Sequence, residues 1–214
     1  MNALSAHCTP ASSTAPSATD TPPARRRRVG GFTVAAGALD RFNQLLARLG
    51  HCDVGLDELA TLSRRLAPAD GSDRPSPWIV QRLRRGVTIN LMVSDPSWEL
   101  DEQRAEAAVV VATYLRDRND LIPDDLPRIG RFDDAFVIDA AWPQLAVEVR
   151  SYLDFCRVRH VEAGLRGCGD SDFVFSRSAW REASQAEKVW IAHCRETGRR
   201  SYLPARGADH FRVC

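Results

Sequence analysis

Residues 114–134 read Y-L-R-D-R-N-D-L-I-P-D-D-L-P-R-I-G-R-F-D-D, and this stretch decides the fold. Pro123, Pro127 and Gly130 interrupt any helix within it, because proline lacks the amide proton and glycine gains least from helical order. On both sides the chain turns apolar at helical spacing: Ala105, Ala108, Val109, Ala112 and Leu115 before it, Phe136, Val137 and Trp142 after it. A short rigid connection between two such segments makes them antiparallel neighbours, over Asp101–Arg118 and Asp134–Arg159. One hairpin has too little area for a stable core, so further helices must cover it.

Those helices are legible outward from the hairpin. Leu39, Phe42, Leu46 and Leu49 recur at three- and four-residue steps in a helix that Gly50 ends, and Leu59, Leu62 and Leu66 mark a second, closed by Pro68. A loop over 69–76 follows. Ser76 as cap and Pro77 at the first helical position begin a third helix, with Ile79, Leu83, Val87 and Leu91 as its inward stripe. Asp95-Pro96-Ser97 makes a turn, and Trp98 is assigned to the helix after it. Pro143 either kinks the second hairpin helix or begins another carrying Leu145, Val149, Tyr152, Leu153 and Cys156. A last amphipathic helix places Trp180, Ala183, Trp190, Ile191 and Cys194 inward and ends at Gly198. No strand alternation or solenoid-length repeat stands out. The expectation is an all-α, compact multi-helix bundle built around the antiparallel hairpin. Its parts are an N-terminal helical pair (32–68), a helical core (76–165) and a C-terminal extension (170–214), all in one domain over 32–214.

Residues 1–31 are Ser, Thr, Ala and Pro closing on Arg25-Arg26-Arg27-Arg28, too poor in apolar side chains to offset the entropy of ordering, and read as a disordered tail. With 29 basic against 28 acidic residues the net charge is +1, so global charge selects no partner. Lys188 is the sole lysine, a skew that fits a GC-rich bacterial genome rather than a chemical demand. The N-terminus lacks the basic and apolar regions of a secretory signal. The apolar windows 107–115 and 135–149 fall short of the ~20 residues of a spanning helix. Cys8, Cys52, Cys156, Cys168, Cys194 and Cys214 form no C-x-x-C pair and read as free thiols of a reducing cytosol.

The combination Asp120-Leu121-Ile122-Pro123-Asp124, then Pro127, Gly130 and the pair Asp133-Asp134, resembles the signature of the YkvA-like bacterial family, whose function is unknown. The resemblance covers about 87–158. It implies a helical hairpin closed by this loop, and relatives include small integral membrane proteins. Here Asp117, Arg118 and Asn119 precede the motif and Asp125 follows Asp124, which makes the hairpin more polar and favours a cytoplasmic or membrane-peripheral protein over an integral one.

Chemistry in the chain is sparse. Asp120, Asp124, Asp133 and Asp134 could supply oxygen ligands to Mg²⁺ or Ca²⁺. The opposing reading is structural, with Asp120 and Asp133 as caps and Arg116, Arg118, Arg128 and Arg131 as ion partners. Cys156 and His160, four residues apart, with Cys168 and His193 or Cys194, match no standard zinc module. Nucleophile elbows, Walker loops and dinucleotide fingerprints are absent from the sequence. Arg82, Arg84 and Arg85 lack a helix-turn-helix context, so nucleic acid is disfavoured. The sequence thus points to a non-enzymatic interaction or membrane-peripheral accessory protein with no cofactor. Its partner would be a protein, a membrane surface or a second copy of itself, and its contact surface the loop tip. The alternative is a divalent-metal-binding protein or metal-dependent enzyme using loop 120–134.

Overall fold

The computed structural model describes residues 28–68, 71–117, 120–170 and 172–200, the side chains of 199 and 200 excepted. Six helices dominate these residues: α1 (Ala38–Arg48), α2 (Leu56–Leu66), α3 (Pro77–Ser94), α4 (Glu102–Tyr114), α5 (Phe132–Leu165) and α6 (Arg177–Arg200). The expected all-α architecture is therefore what the chain adopts. One small exception precedes α1, where β1 (Arg28–Val29) pairs antiparallel with β2 (Phe32–Thr33). Val29 is fully buried, so ordered chain begins ahead of the tail boundary at residue 31. Residues 1–27 lie outside the described set, and with them Arg25, Arg26 and Arg27. Gly30 and Gly31 both take positive φ in this turn, and a Cβ on Gly30 would sit 2.7 Å from the Ile129 side chain. Only glycine lets the hairpin lie this close to the motif loop.

The chain divides into two compact units. The first comprises residues up to Ser94 together with Leu100–Arg150, and the second Asp95–Glu99 together with Ser151 onward. In the first unit, local signals start the helices. The Ser76 hydroxyl accepts from the Ile79 amide (3.3 Å) with Pro77 in the first turn, and Asp101 caps α4 by accepting from the Gln103 amide (3.1 Å). Directions follow from paired contacts. Phe42 meets Tyr114 and Arg48 pairs with Glu106, so α1 and α4 are antiparallel. Trp78 meets Phe132 and Arg82 pairs with Asp139, so α3 and α5 run the same way. Tyr114 bonds Asp133 while Arg104 lies 3.9 Å from Glu148, which makes α4 and α5 the expected antiparallel hairpin. Pro143 neither ends nor divides α5. It faces solvent, where the carbonyl it deprives of a partner can be hydrated.

The inward face of α3 differs from the sequence reading. Ile79 is buried, but Val87 and Leu91 are 60% and 58% exposed, while Gly86, Ile89 and Met92 point inward. The reason is Gly86: a Cβ there would come within 2.8 Å of Ile138 and 2.9 Å of Leu115. The bare backbone lets those side chains approach, and the helix turns that side to its neighbours. Likewise α4 buries Ala108 and Ala112 as expected but turns Val109 outward in favour of Val110, Val111 and Tyr114.

The second unit is organised by Trp98, which occupies a turn and not the helix assigned to it. Its fully buried ring packs against Tyr152, Phe155 and Trp180 at centroid distances of 5.6, 5.2 and 5.3 Å. The Arg177 guanidinium lies over it at 4.3 Å and donates to the Glu99 carbonyl. Asp95 secures the same turn, accepting from Arg159 (3.0 Å) and the Tyr152 hydroxyl (3.2 Å). Leu153, Trp190, Ile191 and Cys194, all expected inside, are exposed. Free thiols are found at Cys156, Cys168 and Cys194, while Cys8 and Cys214 lie outside the described residues.

The close approaches at Gly130 and Gly86 predict opposite outcomes. A Cβ on Gly130 would meet the backbone oxygens of Asp124 and Leu126 at 2.2 and 2.6 Å, and backbone cannot yield as side-chain ends can. Gly130→Ala should cost about 3 kcal/mol or more. Gly86→Ala should stay within about 1 kcal/mol of the parent, since helix propensity offsets a yielding contact. Chemical denaturation of both variants checks this.

Candidate functional site: the Asp-rich loop

The loop between α4 and α5 is built on one buried carboxylate. Asp133, in the first turn of α5, is wholly inaccessible to solvent. Its Oδ2 accepts from the Tyr114 hydroxyl at 2.7 Å and from the Ile122 amide at 3.0 Å. The Tyr114 oxygen accepts in turn from the Leu121 amide at 3.2 Å. Two consecutive loop amides, the end of α4 and the start of α5 thus converge on two side-chain groups. Leu121 and Ile122 are drawn inward and buried by this clamp, while Pro123, Asp124, Asp125, Pro127 and Arg128 remain exposed. The sequence pattern casts Asp133 as a cap. The first intrahelical bond instead runs from the Ala135 amide to the Arg131 carbonyl, and the Asp133 side chain faces back into the loop.

The remaining turns are tight. Gly130 donates to the Leu126 carbonyl at 2.8 Å. Arg128 and Arg131 adopt φ of 67° and 62°, a left-handed conformation that L residues hold only when their surroundings over-determine it. Their side chains show how. Arg128 pairs with Asp73 at 3.1 Å and donates to the Gly71 carbonyl, while Arg131 bridges Asp134 at 2.9 Å and Asp124 at 3.6 Å. The expected pairing of arginine with the motif acids is realised at Arg131, whereas Arg128 pairs outside the loop with Asp73.

Electrostatically the loop is held in a costly state. Burial raises the Asp133 carboxyl above its ordinary range, opposed by the bonds from Tyr114 and the Ile122 amide. Burial also pushes Asp134 up to about 6, with the Asp133 charge adding to the rise and Arg131 opposing it. Asp120 is pushed up to about 7 by burial and then by Asp133, Asp134, Asp124 and Asp117. Burial and the neighbouring Asp133 charge keep the Tyr114 phenol protonated, so it serves as the donor. The Oδ1 atoms of Asp120, Asp133 and Asp134 are each buried with no hydrogen-bond partner among the described residues.

The four acids therefore do not share one setting. Asp133 and Asp134 are buried, Asp120 is half-buried, and Asp124 is exposed beside Arg131. Among the described residues no three His, Cys, Asp or Glu side chains are grouped so that they could hold a metal ion. The candidate zinc residues are dispersed among other contacts: His160 faces Asp170 at 3.0 Å, and Cys156 is half-buried beside Tyr152, its thiol raised by burial. On α3, Arg82 and Arg85 flank Asp139 and lie over Trp78 and Trp142 at 4.4 and 4.0 Å. Sequence reasoning did not single out Tyr114 as part of the site. Its signal, a lone polar aromatic six residues before Asp120, is legible only once the loop is folded back on it. Compared with protein-family models, curated proteins and solved structures, the chain matches none.

Two outcomes follow. Asp133→Ala leaves the Tyr114 hydroxyl and Ile122 amide buried without an acceptor and should cost about 2–5 kcal/mol, beyond the ~1 kcal/mol of a lost cap. Asp133→Asn, which keeps an acceptor oxygen, should cost clearly less. Second, Asp120 and Asp134 bind protons more tightly folded than at their ordinary 3.8, so the folded chain holds more protons between these values and stability falls as pH rises. The melting temperature should drop from pH 3.8 towards about 7 through these groups, and Asp120→Asn should flatten that slope. Thermal denaturation across this range measures both.

Proposed function

We propose that this chain is a YkvA-like, non-enzymatic interaction protein, acting in the cytoplasm or at the periphery of a membrane, whose contact element is the tip of the Asp-rich loop. The supporting observation is the division of labour among the motif acids. Asp133 and Asp134 turn inward, where Asp133 binds Tyr114 and Ile122 and Asp134 binds Arg131, while Asp124 and Asp125 stand exposed between Pro123 and Pro127. A rigid, charged turn projecting from a helical scaffold is suited to recognition, since little entropy is lost when a partner fixes it. Among the described residues no helix is long and apolar enough to cross a membrane, in keeping with a peripheral role.

The test uses the immobilised full chain. Reversing charge at Asp124 and Asp125 should lower recovery of its specific partner about tenfold or more, as expected for loss of interfacial charge complementarity, while loss of the exposed Asp124–Arg131 pair costs stability only about 0–1 kcal/mol. Equal recovery by parent and variant would overturn the assignment to the loop.

A second reading places Mg²⁺ or Ca²⁺ at the acids Asp120, Asp124, Asp133 and Asp134; three buried Oδ1 atoms without donors favour it, and the lack of any three grouped ligands among the described residues counts against it. On that reading millimolar Mg²⁺ or Ca²⁺ raises the melting temperature of the parent but not of Asp120→Asn. Equal melting temperatures with and without the ion would remove it.

A further inference from the structure

The first half of α6 is anchored in its unit: Ser176 accepts from the Ala179 amide, the Trp180 indole donates to Asp154 at 2.9 Å, and Glu187 pairs with Arg157 at 3.3 Å. The Glu187–Arg157 pair is the last of these ties along the helix among the described residues. Every residue from Gln185 to Gly198 is exposed, Val189 and Trp190 by 59% and 66%. Glu182, Ala186, Val189, Trp190 and His193 line an open apolar face, with the Trp190 and His193 rings 6.3 Å apart. An isolated helical segment of this length is marginal in water without a tertiary partner, and an exposed tryptophan on it marks a contact surface.

What covers this face is written in its pattern. Ala179, Ala183, Ala186, Trp190, His193 and Thr197 follow steps of four and three, the spacing of a two-helix seam. The N-terminal half of the seam is all alanine and the C-terminal half is larger. Laid antiparallel on itself, the helix sets Ala186 opposite Trp190 of the second copy, Ala183 opposite His193 and Ala179 opposite Thr197. Every large side chain then meets a small one, as interdigitated layers require. A parallel pair would instead stack Trp190 on Trp190 and leave the alanine half hollow. The contact is the same surface twice, which closes under two-fold symmetry.

We propose that α6 is a homodimerisation element, and that its partner is α6 of a second copy in antiparallel register about a two-fold between Ala186 and Trp190. Val189 meets its own counterpart near the axis. Lys188 and Arg195 lie on the opposite side by helical spacing, while Arg181 and Gln185 form the rim of the exposed face beside Glu182. Glu182 and Glu196 edge the seam, which disfavours an anionic bilayer as the occupant. In the dimer Glu182 approaches Glu196 of the second copy, a repulsion that makes the pairing tighten as salt rises.

Sedimentation velocity of the full chain over a range of concentrations tests this. The expected result is a reversible monomer–dimer equilibrium that strengthens with salt. Trp190→Ala and Ala186→Trp should each weaken it tenfold or more, the second despite adding apolar surface, because it fills the space that Trp190 of the second copy needs. Glu182→Lys should tighten it severalfold and reverse the salt dependence. Far-UV circular dichroism verifies that each variant is folded, and all three positions are exposed. A chain monomeric at every concentration, an Ala186→Trp variant that associates more strongly, or Trp190-dependent retention on phosphatidylglycerol vesicles without dimer formation would overturn the proposal.

Discussion

The first unit depends on one buried carboxylate. Asp133 is buried where desolvation opposes its charge, and the Tyr114 hydroxyl and the Ile122 amide, both aimed at a single oxygen, counter that cost. Because those donors come from the end of α4 and from the connecting loop, satisfying Asp133 also fixes the loop path, the burial of Leu121 and Ile122, and the antiparallel return of α5. Gly130 permits this route by carrying no Cβ between the backbone oxygens of Asp124 and Leu126. The small sheet is tied in through Gly30, whose bare backbone rests against Ile129.

The second unit obeys a different constraint. It is held by a cluster of rings about Trp98, with a cation over its face and Asp95 gathering Arg159 and the Tyr152 hydroxyl. Aromatic burial here supplies much area from few residues, as a small unit requires. It reaches only the first part of α6, and the exposed remainder is where self-association is proposed. Loop tip and helix seam differ in chemistry, one acidic and rigid, the other apolar with alternating size, so they fit different contacts.

Much of the fold was legible in the chain. Helix-breaking residues at 123, 127 and 130 flanked by apolar helical periods are a local signal, and local signals survive without knowledge of neighbours. So do the Ser76 cap, Pro77 at the helix start and the leucine face of α1. The orientation of amphipathic helices with weak polarity was not legible. On α3, Ile79, Leu83, Val87 and Leu91 form as convincing a stripe as Ile79, Gly86, Ile89 and Met92, and hydrophobicity alone prefers the former. The latter faces inward because α5 can approach closely where Gly86 stands.

The sequence by itself determined the helices, most of their limits and the place of the helical hairpin, since these rest on backbone geometry and periodicity within a few residues, but not the short strand pair ahead of α1. Only the tertiary structure decided what each motif acid does. Asp120, Asp124, Asp133 and Asp134 are chemically alike in the sequence, and their differences arise from burial and from donors 11 to 19 residues away. The same holds for tryptophan: Trp98 is fully buried and Trp190 mostly exposed, because burial depends on what other parts of the chain bring to a residue and not on its own hydrophobicity.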